Sequence, residues 1–147
     1  MSLAERITED MKQAMKNKDK LRLSVIRMIR SAIKYAEIEL KTTLSEEQVI
    51  DVLTREVKQR RDSLQEFEKA DRRDLVENVK EELIVLQDYL PKQLSEDELR
   101  TIVQEVIVQV DAKAKSDMGK VMGALMPRIK GRADGKLVNQ LVQEKLS

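Results

Sequence analysis

Apolar side chains recur every three or four residues along almost the whole chain, and this spacing restricts the fold more than any other feature. It places an apolar stripe along one face of an α-helix, whereas a half-buried strand would need strict alternation. Only two prolines and four glycines interrupt the 147 residues, and no segment has the pattern of a strand. The sequence therefore predicts an all-α protein.

The first part of the chain is predicted to form about four helices. Ser45 and Gln48 have the spacing of a capping box, which marks the start of the third helix. Thr42 and Thr43 break the apolar pattern just before it. The predicted helices run over about 3–16, 19–41, 45–70 and 71–90.

Pro91 marks the clearest boundary in the sequence. Proline cannot continue a helix and disfavours helical backbone at the residue before it, Leu90. A second capping box, Ser95 with Glu98, starts the next helix four residues later. We therefore predict a short hinge or elbow at 90–95 that separates an N-terminal domain, 1–91, from a C-terminal domain, 92–147.

The C-terminal domain is predicted to be a small bundle of three amphipathic helices. Its apolar stripes begin at Leu99, Met118 and Leu137. Asp117 and Asp134 are expected to be N-caps, and Gly131 is expected to close the second helix with a positive φ. Pro127 predicts a kink or an early end in that helix.

Composition excludes the commonest catalytic and metal chemistries. The chain has no cysteine and no histidine, which removes thiolate sites, disulfides and the usual general base. No glycine-rich phosphate loop and no EF-hand pattern occurs, and the paired carboxylates lie on highly charged helical segments. We expect no catalytic residues, no metal and no cofactor, and hence no enzyme.

The expected location is the cytoplasm. No apolar run approaches the roughly 18 residues that a membrane span needs, so no membrane contact is expected. The first residues do not have the pattern of a secretory signal. The sequence leaves the oligomeric state open.

Charge is segregated along the chain although the net charge is only +1. Residues 18–34 carry six basic and one acidic side chain, and residues 62–88 carry nine acidic and four basic ones. From Lys115 to the end there are seven basic and three acidic side chains. Such segments are usually solvated helix faces, but they could also pair within the fold or with a partner.

The strongest candidate site is the turn before the last predicted helix. It combines three cations, two glycines and a helix N-terminus within seven residues, where a phosphate could bind. Alternatively, the cations only solvate the turn and Asp134 takes the helix-end donors. Arg128, Lys130, Arg132 and Lys136 surround this turn, and Lys115 and Lys120 lie one helix earlier. The C-terminal domain has no aromatic residue to stack on bases, so if nucleic acid is the partner, contacts to the phosphate backbone of a folded RNA are expected.

Four segments of the chain resemble the GatB/YqeY family. Two of them, DMGKVMG at 117–123 and KGRADGKLVN at 130–139, are similar to the tail of the GatB component of the glutamine-dependent aspartyl/glutamyl-tRNA amidotransferase. The other two, KQRRDS at 58–63 and YLPKQLS at 89–95, resemble the free-standing YqeY type. The resemblance therefore covers nearly the whole chain.

The resemblance implies a helper protein. In that family the tail module holds tRNA while a separate catalytic body acts, and relatives are fused to glutaminyl-tRNA synthetase. It implies a non-catalytic tRNA-binding accessory module of protein biosynthesis, associated with a carbon–nitrogen ligase that uses glutamine as amide donor. An amidotransferase or an aminoacyl-tRNA synthetase would be its partner. The resemblance also implies the nucleic-acid-binding residues, which would contact phosphates: Lys120, Arg128, Lys130, Arg132 and Lys136. The alternative is a helical adaptor for protein–protein contacts with no RNA role.

Overall fold

The computed structural model describes residues 1–146 and contains helices as its only regular elements there. These residues form seven α-helices and one short 3-10 turn, with no strand among them, which confirms the predicted all-α class. The elements are α1 (Leu3–Lys16), α2 (Lys20–Leu40), α3 (Glu46–Lys69), α4 (Arg73–Gln87), α5 (Glu96–Gln109), the 3-10 turn (Lys115–Asp117), α6 (Met118–Ile129) and α7 (Gly135–Leu146).

The chain divides into two compact units between Leu90 and Pro91. Unit 1, Met1–Leu90, contains α1 to α4, and unit 2, which begins at Pro91, contains α5 to α7. Each unit has an aliphatic core of its own, built from the stripes that the helical spacing predicts. Fully buried members are Ile7, Ile26, Leu53 and Leu86 in unit 1, and Val103, Leu125 and Val142 in unit 2.

Both predicted capping boxes are present. The Ser45 hydroxyl accepts from the Gln48 amide at 3.2 Å, and the Gln48 side chain accepts from the Ser45 amide at 2.9 Å. Ser95 and Glu98 repeat this arrangement at the start of α5. Hydrogen bonds from the backbone and hydroxyl of Ser95 hold the pKa of the Glu98 carboxyl below its ordinary value. The helix starts are therefore fixed by local sequence.

The two aspartates expected to be N-caps behave differently. Asp134 caps α7, since its Oδ1 accepts from the backbone N–H of Lys136 at 3.3 Å. Asp117 precedes α6, but its carboxylate accepts from the backbone N–H groups of Lys113 at 2.9 Å and Ala114 at 3.3 Å. These bonds lower the pKa of Asp117. The predicted side-chain cap of α6 is wrong, because Asp117 folds back onto the preceding turn.

Pro127 lies in the last turn of α6, and the helix ends two residues later, at Ile129. Lys130 then leaves the helical region with φ −55° and ψ 125°. Gly131 has a φ of 72°, the left-handed conformation that the sequence predicts there. The chain therefore turns sharply between α6 and α7.

A buried arginine joins the helices of unit 1. The Arg60 side chain on α3 is only 8% exposed, and its guanidinium contacts Glu56 Oε2 at 2.7 Å and Glu82 Oε2 at 2.9 Å. Glu82 belongs to α4, and its other carboxylate oxygen accepts from the side-chain amide of Asn78 at 3.0 Å. An Arg60 nitrogen also lies 3.4 Å from the sulfur of Met28 on α2. Three helices thus meet at one charged side chain.

Tyr89 connects the residues after α4 to α1. Its hydroxyl donates to Asp10 Oδ2 at 2.7 Å, and the Arg6 guanidinium lies 4.9 Å from the centre of its ring. Burial, reinforced by the hydrogen bond to Asp10, raises the pKa of Tyr89 to about 12. The neutral phenol is therefore favoured in the folded protein.

The raised pKa predicts that unit 1 loses stability in strong base. A phenol with an ordinary pKa of 10.0 and a folded pKa of about 12 contributes its full stability below pH 10 and loses it as pH rises through 12. In a Tyr35→Phe variant Tyr89 is the remaining tyrosine, so phenolate absorbance reports it alone. We expect half-ionisation near pH 12 in the folded variant and near pH 10 in urea. Identical titrations in the two states would contradict the buried hydrogen bond.

Candidate nucleic-acid interface

The candidate site is built on the turn between α6 and α7. The positive φ of Gly131 reverses the chain, and the Arg132 amide donates back to the Ile129 carbonyl at 2.8 Å. Asp134 then starts α7 by accepting from the Lys136 amide. The helix-end donor at Lys136 is thereby occupied, so an anion at this turn would be bound mainly by side chains.

The segment that precedes α5 docks on this same turn. The Leu94 amide donates to the Arg132 carbonyl at 2.8 Å, and the Gln93 side chain donates to the Gly131 carbonyl at 2.7 Å. In return, Arg132 Nε donates to the Lys92 carbonyl at 3.3 Å. Residues 92–94 are therefore held against the turn within unit 2.

This docking adds a cation that the sequence analysis missed. The positive charges of Lys92 and Arg132 also help to lower the pKa of Glu98, although they contribute less than the hydrogen bonds from Ser95. We call Lys92, Lys130, Arg132 and Lys136 the basic turn. Lys92 lies in the segment YLPKQLS at 89–95, whose sequence predicts a boundary and a family resemblance but no binding site.

The five predicted residues do not form one cluster. Lys130, Arg132 and Lys136 lie in the basic turn, and Arg128 lies just before it, where it pairs with Glu105 Oε2 at 2.8 Å. Lys120 lies in the first turn of α6, ten residues before Lys130 and about 15 Å away along the helix axis. Its positive charge instead helps to lower the pKa of Asp117. Lys120 therefore belongs to the opposite end of α6.

Arg132 has a structural role in addition to its charge. Its side chain is half-buried, and its backbone and guanidinium both hydrogen-bond to residues 92–94. Lys92 and Lys136 are exposed. A substitution that tests binding should therefore retain Arg132 and change lysines, of which Lys130 is half-buried.

Among residues 1–146, no group of three potential metal ligands comes together. Hydrogen bonds are the main cause of a lowered carboxyl pKa at Asp74, Glu98 and Asp117. None of these three is tuned as a general acid. None of the helices in this range has the length and apolar character needed to cross a membrane.

Comparison with known proteins establishes the family. The model of the YqeY-like protein family matches residues 4–146. The chain belongs to the YqeY-like family. The expected resemblance is confirmed, and it extends over both units.

Curated relatives fall into two groups. "Altered inheritance of mitochondria protein 41, mitochondrial" from Pyrenophora tritici-repentis is 34% identical over 95% of this chain and 78% of its own length. The protein of the same name from Candida glabrata is 38% identical over 71% of this chain and 59% of its own. A glutamyl-tRNA(Gln) amidotransferase subunit from Thermococcus gammatolerans is 46% identical over 36% of this chain and 9% of its own length.

These relatives correct one expectation. Both fungal proteins are named as mitochondrial, which points to mitochondria and contradicts the predicted cytoplasmic location. The prediction was wrong because composition does not distinguish the cytoplasm from other aqueous compartments of a cell.

Proposed function

We propose that this YqeY-like protein is a tRNA-binding accessory module that contacts the phosphate backbone through the basic turn. The observation that carries the proposal is the docking of residues 92–94 on the α6–α7 turn, which adds Lys92 to the cations of that turn. Lys and Arg side chains clustered in this way are typical phosphate ligands. The similarity to a tRNA amidotransferase of Thermococcus gammatolerans supports tRNA as the RNA.

The chemistry of unit 2 favours backbone contacts over base recognition. Residues 91–147 contain no Phe, Tyr or Trp, so bases cannot stack there on aromatic rings. Lysine side chains bind phosphates as point charges with little sequence preference. We therefore propose that the module recognises folded tRNA by shape and charge, and that a partner enzyme, an amidotransferase or an aminoacyl-tRNA synthetase, performs the chemistry.

The adaptor alternative has less support. Its basis was the separation of the basic segment, 18–34, from the acidic segment, 62–88. Arg22 of the basic segment pairs with Asp88 of the acidic one at 3.4 Å within unit 1. Part of the charge separation therefore serves the fold.

Removing the lysines of the basic turn should weaken tRNA binding. We expect the combined variant Lys92→Gln, Lys130→Gln, Lys136→Gln to bind tRNA about a hundredfold or more weakly than the unmodified protein at roughly 0.1 M salt. The reason is that each phosphate contact releases about one counterion from the RNA, and this release favours binding. Filter binding or fluorescence anisotropy with labelled tRNA measures the loss.

A matched control changes the same number of charges elsewhere. Lys12, Lys69 and Lys80 are exposed cations of unit 1. Their combined change to Gln should leave tRNA affinity within a few fold of the unmodified protein. If both triple variants lose affinity equally, only net charge matters and the site assignment fails.

A further inference from the structure

Unit 1 contains an open groove of about 630 Å³ between α2 and α3, whose lining also includes Leu23 and Met28. Its α2 wall carries Lys20, Ser24, Arg27 and Ser31, which are spaced so that they share one helix face. Gln59 faces them from α3. The four α2 positions span about 16 Å along the helix axis, so the donors form a line.

The cations of this groove are not engaged by acidic side chains. Neither Lys20 nor Arg27 has an ion-pair partner in the described part of the chain, and the side-chain hydrogen bond of Arg27 there is a long one, 3.9 Å to the sulfur of Met15. The carboxylate that borders the groove, Glu56, is held by Arg60 at 2.7 Å. The groove therefore offers donors that no carboxylate engages, while the carboxylate of Glu56 is held by Arg60, which it shares with Glu82.

We propose that this groove binds a segment of RNA phosphodiester backbone. Lysine, arginine, serine and glutamine are the side chains that donate to phosphate oxygens in protein–nucleic acid complexes. A row of donors about 16 Å long suits an extended polyanion better than a single small ion. No aromatic side chain lines the groove, so it would follow the backbone without stacking bases. The proposal takes its ligand class from the proposed function but uses a different site.

A crosslink tests the position of the RNA directly. The chain has no cysteine, so Ser24→Cys introduces a single thiol that can carry a benzophenone group. Lys80→Cys, on the exposed side of α4, is the matched control. With the full-length chain and bulk tRNA, we expect irradiation to crosslink the Ser24→Cys protein several-fold more than the control. Equal crosslinking at both positions would overturn the proposal.

An affinity measurement separates this site from the basic turn. Lys20→Gln with Arg27→Gln should weaken tRNA binding about tenfold or more, while Lys20→Arg with Arg27→Lys should retain it. Normal tRNA binding by the Gln pair would overturn the groove and leave the basic turn intact. If only the variant of Lys92, Lys130 and Lys136 loses tRNA affinity, the groove is likewise overturned. If only the groove variant loses tRNA affinity, the basic turn is not the binding site.

Polyglutamate serves as a control polyanion without phosphates. If the Lys20→Gln, Arg27→Gln variant loses as much affinity for polyglutamate as for tRNA, the groove is a general anion surface and the proposal fails.

Discussion

Replacing Arg60 with alanine is expected to lower the free energy of unfolding of unit 1 by about 3–5 kcal/mol, because the change leaves two partly buried carboxylates without their counter-ion. Glu56 and Glu82 contact the same guanidinium, and their side chains are 17% and 21% exposed. Urea unfolding followed by tyrosine fluorescence measures the effect. Both tyrosines, Tyr35 and Tyr89, lie in unit 1, so the signal reports that unit.

The control for this prediction is Arg55→Ala. Arg55 is an exposed residue of the same helix, five residues earlier, and its replacement should change the free energy of unfolding by less than about 0.5 kcal/mol. If Arg60→Ala also costs less than about 1 kcal/mol, the buried ion pairs do not hold α3 and α4 together.

Leu125→Ala is expected to destabilise unit 2 by about 3–5 kcal/mol. Leu125 is fully buried in the core shared by α5, α6 and α7, and its truncation leaves a cavity that short helices cannot fill. A unit of this size is stabilised by only a few kcal/mol, so much of unit 2 should unfold. Far-UV circular dichroism should show loss of helix, and tRNA binding through the basic turn should fall with it.

Met126→Ala provides the comparison at the next position. Met126 is 44% exposed, so its truncation should cost well under about 1 kcal/mol. The tyrosine signals of unit 1 should stay native in both variants, because the core of unit 1 includes no residue beyond Leu90. Equal stability losses in the two variants would contradict the assigned core of unit 2.

The features that the sequence predicted well are local ones. The apolar stripes, the capping boxes at Ser45 and Ser95, and the positive φ of Gly131 each depend on residues within one or two turns. Helical spacing and capping chemistry act over this range, so they can be recognised in the chain without knowing the fold.

The features that it missed depend on long-range contacts. Lys92 joins the basic turn through hydrogen bonds that span about 40 residues, and Arg60 finds Glu82 across 22 residues of chain. Neither pairing has a periodic signal in the sequence. Asp117 shows that sequence can also mislead at short range. Backbone donors lie on both sides of this residue, and its carboxylate accepts from the preceding turn instead of capping α6.

The salt dependence of tRNA affinity shows whether lysines of the basic turn contact tRNA phosphates. For the unmodified chain, the logarithm of the binding constant should fall linearly with the logarithm of salt concentration between about 50 and 200 mM. In the Lys92→Gln, Lys130→Gln, Lys136→Gln variant the slope should be shallower by about 2 to 3. Equal slopes for the two proteins, or no measurable binding of tRNA by the unmodified chain at low salt, would contradict phosphate binding by the basic turn.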